Sequence, residues 1–198
     1  HYPLRRQRQM CIRDRLKGTL SHVKDEEFDG FASEVTEASR IFVAGKGRSG
    51  FVANSFAMRL NQLGKQAFVI GESTTPSIQK GDLFIVISGS GSTEHLRLLA
   101  DKAKSVEAEV VLLTTKLDSA IGEIADTVVE LPAGTKHDAT GSDQPLGSLF
   151  EQSSQIFLDS VVIGLMTQLD VDETTMQNNH ANFCLLYTSD AADEEDSV

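Results

Sequence analysis

LFIVISGSGSTEHLRLLADKAKS, residues Leu83–Ser105, joins a wholly apolar run to a helical pattern through six residues that are only Gly, Ser and Thr. Leu83–Ile87 has no polar face, which predicts a strand buried on both sides. After Thr93, Leu96, Leu99, Ala100 and Ala103 recur at helical spacing and predict an amphipathic helix. A buried strand that turns directly into a helix is the building unit of a parallel sheet covered on both faces.

The same unit precedes it. RIFVAG (Arg40–Gly45) reads as a strand, GKGRSG (Gly45–Gly50) as a glycine turn, and SGFVANSFAMRLNQLG as a helix that Gly64 stops. QAFVIG, AEVVLLTT and DTVVELP read as further strands, and SAIGEIA (Ser119–Ala125) as a short helix. The expected fold is α/β: three layers, with a doubly wound five-stranded parallel sheet flanked by helices. In such sheets ligands bind beyond the carboxyl ends of the strands, where both glycine turns lie.

After Pro132, AGTKHDATGSDQPLG has no periodicity, and a loop of that length in a compact domain points to function or disorder. Ser148–Leu169 then reads as a long helix. Its VVIGLM stretch is apolar around most of its circumference, so another copy of the chain is expected to cover part of it. DETTMQNNHANF reads as a last short helix.

The 198 residues carry a formal charge of −11, against general binding to nucleic acid or anionic membranes. No apolar run reaches the ~20 residues of a membrane span, and no secretory signal opens the chain, so a cytoplasmic location is expected. Residues 1–15 hold five arginines and one aspartate, whereas 184–198 hold five acids and no base. Neither end continues its neighbour's pattern, and both resemble translated adapter sequence. The expectation is a single domain over 16–183 between two non-native tails. That domain has 13 Lys+Arg against 23 Asp+Glu and no cysteine, since Cys11 and Cys184 lie in the tails; a disulfide or thiolate metal site is not expected.

Helix N-termini present unpaired N–H groups and partial positive charge, and glycines let a backbone approach an anion. Ser88, Ser90, Ser92 and Thr93 could therefore wrap a phosphate without a lysine. The competing reading is that Ser92 or Thr93 is only an N-cap, but one cap needs one hydroxyl. GKGRSG also matches a dinucleotide fingerprint, with Glu72 near ribose-binding distance, which keeps a nucleotide-dependent oxidoreductase as an alternative. Ser148-Leu-Phe-Glu151 has the form of a capping box. On a polar helix, His180 reads as a solvated side chain; His95, in the first turn after the phosphate loop, and His137, in the long loop, are the other central histidines.

In combination, AGKGRSGFVANSFAMRL, VIGESTTPSIQKGDL, SGSGSTEHL, QPLGSLFEQSSQIFLDSVV and HANF resemble the sugar isomerase (SIS) domain family, most narrowly its 6-phospho-3-hexuloisomerases. The resemblance implies a homotetrameric, metal-free enzyme without cofactor. It would interconvert D-arabino-hex-3-ulose 6-phosphate and fructose 6-phosphate, after a hexulose-phosphate synthase in the ribulose monophosphate route. The carbonyl would move through a cis-enediol(ate) by proton transfer. The resemblance makes Glu151 the base and His180 the second catalytic group, its ring reaching a neighbouring subunit's site. It places Gly47, Arg48, Ser49, Glu72 and Gln144 with the hydroxyl turn against the phosphosugar, Glu72 either on sugar hydroxyls or holding Arg48. Another sugar-phosphate isomerase of the same fold, or a sugar-phosphate sensor without chemistry, remains an alternative.

Overall fold

The computed structural model describes residues 2–133 and 144–182, with the side chains of 2–5 left aside. Five strands, β1 (Ile41–Gly45), β2 (Ala67–Val69), β3 (Leu83–Ile87), β4 (Glu109–Thr114) and β5 (Thr127–Glu130), form one sheet in the order β2-β1-β3-β4-β5. Every pairing is parallel. The helices are α1 (Tyr2–Leu20), α2 (Asp25–Glu37), α3 (Arg48–Gln62), α4 (Glu94–Ser105), α5 (Ser148–Gln168) and α6 (Glu173–Asn178). None is long and apolar enough to cross a membrane, among the described residues.

Alternation along the strands divides the core in two. Ile41, Val43, Ile85 and Leu113 pack with Phe31 of α2, Phe56 of α3 and Phe157 of α5 on one face. Phe42, Phe84, Val86 and Leu112 pack with Leu96, Ala100 and Ala103 of α4 on the other. The doubly wound expectation holds, and all five expected strands are present. The strand order reverses between β1 and β3, which puts the open crevice of the fold at their carboxyl ends.

The expected helix at Ser119–Ala125 is instead a run of turns. The N–H groups of Glu123 and Ala125 reach back four residues to Ser119 and Ile121, but the Ile124 N–H between them turns to the Ile121 carbonyl, so no two consecutive helical bonds form; the Ile121 N–H donates to the Gly91 carbonyl. At the amino end, α1 continues as helix through residues expected to stand outside the fold. Among the described side chains of α1 only Thr19 is buried, and its hydroxyl donates to the Pro132 carbonyl.

At the end of the sheet opposite the crevice, Arg40 grips Asp82 with Nε at 3.0 Å and Nη2 at 2.6 Å. The Gln79 N–H donates to the same carboxylate at 2.7 Å, and Asp82 is 2% exposed. Asp82 is buried, whereas Arg40 is 22% exposed and keeps its bond to the Ser77 carbonyl, so Asp82→Ala should lower unfolding stability by about 1–3 kcal/mol in urea titrations, chiefly through the lost charge-assisted bonds. A loss below 0.5 kcal/mol would show that the pair carries little.

Glu34 of α2 accepts a hydrogen bond from Thr127 Oγ1, while its Oε2 has no hydrogen-bond partner among the described residues. Burial raises its pKa; Thr127 opposes the shift, and the charges of Glu109, Asp126 and Glu37 add to it. The folded chain therefore holds this proton more tightly than the unfolded chain does. The resulting stability is full below the ordinary glutamate range and is lost as pH rises through the raised value. Glu34→Gln should raise Tm at pH 7.5 and flatten the dependence of Tm on pH; an equal Tm change at pH 4 and 7.5 would contradict the assignment.

Candidate functional site

The β1–α3 turn requires its glycines. A Cβ on Gly45 would stand 2.6 Å from the Ser49 carbonyl carbon and oxygen, and Gly47 has φ 60° and ψ −132°. This tight turn starts α3 at Arg48 and buries Ser49. Arg48 reaches across the crevice to the head of α5. Its Nη1 donates to Ser148 Oγ at 2.7 Å, and its Nε lies 3.1 Å from Glu151 Oε2.

Glu151 is 4% exposed. Its Oε2 pairs with Arg48 by distance, but the N–H is not directed at it, and that oxygen has no hydrogen-bond partner among the described residues. A buried acceptor left open in this way is costly, and such groups concentrate where a ligand completes the bonding. The capping-box expectation is corrected here. The N-cap of α5 is Gly147, in the left-handed region, without a side-chain cap. Ser148 Oγ donates to the Pro145 carbonyl at 2.6 Å instead, and Glu151 turns to Arg48.

Gln144, 7% exposed, donates from Nε2 to Gln152 Oε1 at 2.7 Å. Together with α1 residues including Arg8, Cys11 and Arg15, this group lines a cleft of about 570 Å³ in front of Arg48 and Ser148.

The hydroxyl turn stands beside it. Thr93 is the N-cap of α4, yet its side chain makes no capping bond, and Ser92 Oγ donates to the Ser90 carbonyl. The simple N-cap reading therefore fails for both residues. Ser88 is 4% exposed, whereas Ser90 and Ser92 are more open. A Cβ on Gly89 would meet the Phe150 ring at 3.1 Å. Phe150 precedes Glu151 in α5, so the head of the helix that carries the buried carboxylate packs on the turn.

A family model described as the SIS domain matches residues 34–155. The chain belongs to the SIS-domain family. It is 42% identical over 174 residues to the 3-hexulose-6-phosphate isomerase of Bacillus subtilis, covering 86% of this chain and 94% of that protein. It is also 42% identical to the Methylomonas aminofaciens enzyme of the same name, covering 88% and 97%. A crystal structure of a Methanococcus jannaschii protein, for which that molecular function was inferred, superposes with a TM-score of 0.80 at 32% identity, covering 89% and 99%.

In this SIS domain, Gly47, Arg48, Ser49, Gln144 and Glu151 gather with the hydroxyl turn about the β1–β3 crevice. Glu72 is exposed beyond β2, and the expected hold on Arg48 is supplied by Glu151 and Ser148. His95 is exposed; His137 lies outside the described residues, as do Phe183 and the 184–198 tail. His180 is not brought to Glu151 within one chain. Asn179 beside it donates to the Gln62 carbonyl at the far end of α3, about 20 Å along the helix from Arg48. His180 itself lines a groove of about 440 Å³ with Arg59, Asp159, Val162 and Ile163. The sequence marks Ser148 only as the cap of the capping box and Gln152 only as part of the QPLGSLFEQSSQIFLDSVV block, neither with a part in the site.

Proposed function

We propose that this SIS domain isomerises D-arabino-hex-3-ulose 6-phosphate and fructose 6-phosphate, with Glu151 as the base. The observation that carries the reading is the open, buried Glu151 carboxylate beside Arg48, at the head of a helix whose Phe150 packs on the hydroxyl turn. The identity to enzymes of this activity over nearly their whole length supports it. The phosphate sits on Ser88, Ser90, Ser92, Thr93 and the N-terminus of α4, whose partial charge favours an anion. This leaves C2 and C3 toward α5.

Glu151 removes the C2 proton, and the C–H electrons form the C2–C3 double bond while the C3 carbonyl oxygen becomes an alkoxide. Arg48, beside Glu151, balances the enediolate charge. Transfer of the O2 proton to O3, closure of the C2 carbonyl and return of the proton from Glu151 to C3 complete the shift. Gly47, Ser49, Glu72 and Gln144 contact the sugar in this reading.

His180 serves ring opening or proton transfer in the site of another subunit. The 67% exposure of Ile163 in the His180 groove and the 43% exposure of Ile156 two turns earlier on α5 favour a covering copy, and a homotetramer is the proposed state. The functional unit spans 16–183, and a hexulose-phosphate synthase supplies its substrate. The test supplies ribulose 5-phosphate, formaldehyde and that synthase, and follows fructose 6-phosphate through a coupled NADPH signal. Product dependent on the chain supports the reading. Binding of fructose 6-phosphate without turnover would replace it with a sensor.

A further inference from the structure

Three donors converge on one carbonyl in the hydroxyl turn. Gly89 O accepts from Thr115 Oγ1 at 2.7 Å, from the Thr115 N–H at 3.1 Å and from Thr114 Oγ1 at 3.2 Å. Both threonines sit at the carboxyl end of β4, with Thr114 fully buried and Thr115 8% exposed. A carbonyl has two lone pairs, so this one is saturated.

A trans peptide is planar, and its C=O and N–H point in opposite directions. Fixing the Gly89 carbonyl toward β4 therefore fixes the Ser90 N–H away from β4. β4 and β1 flank β3 on opposite sides, so that direction is toward β1 and the turn that presents Arg48. No described residue accepts the Ser90 N–H. Rotation of this peptide would turn a carbonyl dipole toward an anion and withdraw a donor from it. On the other side of Gly89, the Phe150 ring stands where a side chain would go, which leaves the peptide little room to turn.

We infer that Thr115 is a positioning residue that sets the anion site by locking the Gly89–Ser90 peptide, with Thr114 assisting. The inference rests on the phosphate-binding role of the hydroxyl turn, not on turnover. Its ligand is the phosphoryl group itself, whatever sugar bears it.

Calorimetric titration with inorganic phosphate and with fructose 6-phosphate tests it on the full chain. Thr115→Val keeps the shape and the backbone N–H but removes the strongest donor. Its Kd for both ligands should rise about tenfold, while kcat stays within twofold and Thr115→Ser restores binding. A Kd for phosphate equal to the parent's would overturn the inference. So would parallel loss of kcat and binding without rescue by Ser, which marks general damage. In the parent protein, the Ser90 amide resonance should shift on adding phosphate, and an unmoved resonance would also overturn it. Weakened phosphate binding in Thr115→Val counts for the inference even if the parent forms no fructose 6-phosphate, an outcome that removes only the isomerase reading.

Discussion

Glu151→Gln is expected to lower kcat about a thousandfold, within the ~10²–10⁴ range associated with a positioned general base, while KM changes by less than a few-fold. The amide is nearly isosteric with the carboxylate, so packing around a residue only 4% exposed is retained. Arg48 loses its charge partner, but its side chain is 57% exposed and hydrates readily. The Ser148 bond to Arg48 remains to hold the guanidinium. Stability should therefore move little, and Tm measured beside the kinetics separates lost chemistry from lost fold. A kcat within tenfold of the parent, at unchanged Tm, would remove Glu151 from the base role.

The second large effect is expected at Gly91, on the binding side of the site. Gly91 has φ 60°, and a Cβ there would lie 2.3 Å from Ser119 Oγ and 2.6 Å from Ser119 Cβ. Ser119 cannot retreat freely, because its Oγ accepts from the Gly122 N–H and the neighbouring Ile121 N–H is bound to the Gly91 carbonyl. Gly91→Ala must therefore move the hydroxyl turn. KM should rise about a hundredfold, with a stability cost of roughly 1–3 kcal/mol for the strained backbone. Ser119→Gly in the same chain removes the obstructing side chain and should recover part of KM. Gly64→Ala is the control: φ is 86°, but nothing lies within 4 Å of the added atom. It should lower Tm without moving KM. Equal KM changes at positions 64 and 91 would mean that the hydroxyl turn has no special part in binding.

The strands were legible because apolar residues on both faces leave a continuous signal, as in Leu83–Ile87 and Val110–Leu113. The long helices declared themselves by periodicity. Local pattern failed where a distant partner claims the groups that local structure would use. At Ser119–Ala125 the segment is tied to the hydroxyl turn through the Ile121 N–H and the Gly91 carbonyl, its own helical bonds break at Ile124, and turns replace the helix. At Ser148 the S-x-x-E spacing has the form of a cap, yet Arg48, 100 residues earlier, draws both side chains across the crevice. The hydroxyl turn was recognisable from composition alone, since four hydroxyls and two glycines between a buried strand and a helix exceed what one N-cap needs. The threonines that aim it were not, because a Thr-Thr pair ending a strand looks like ordinary β sequence.

Hydrogen exchange on fructose 6-phosphate in D₂O tests the central claim most directly. Movement of the carbonyl between C2 and C3 removes the C3 proton of fructose 6-phosphate, whereas formation of an aldose removes one from C1. Proton NMR should show deuterium entering at C3 with the parent chain, with C1 unlabelled and the exchange lost in Glu151→Gln. Deuterium at C1 with C3 unlabelled would contradict the account and assign the site to a different sugar-phosphate isomerisation.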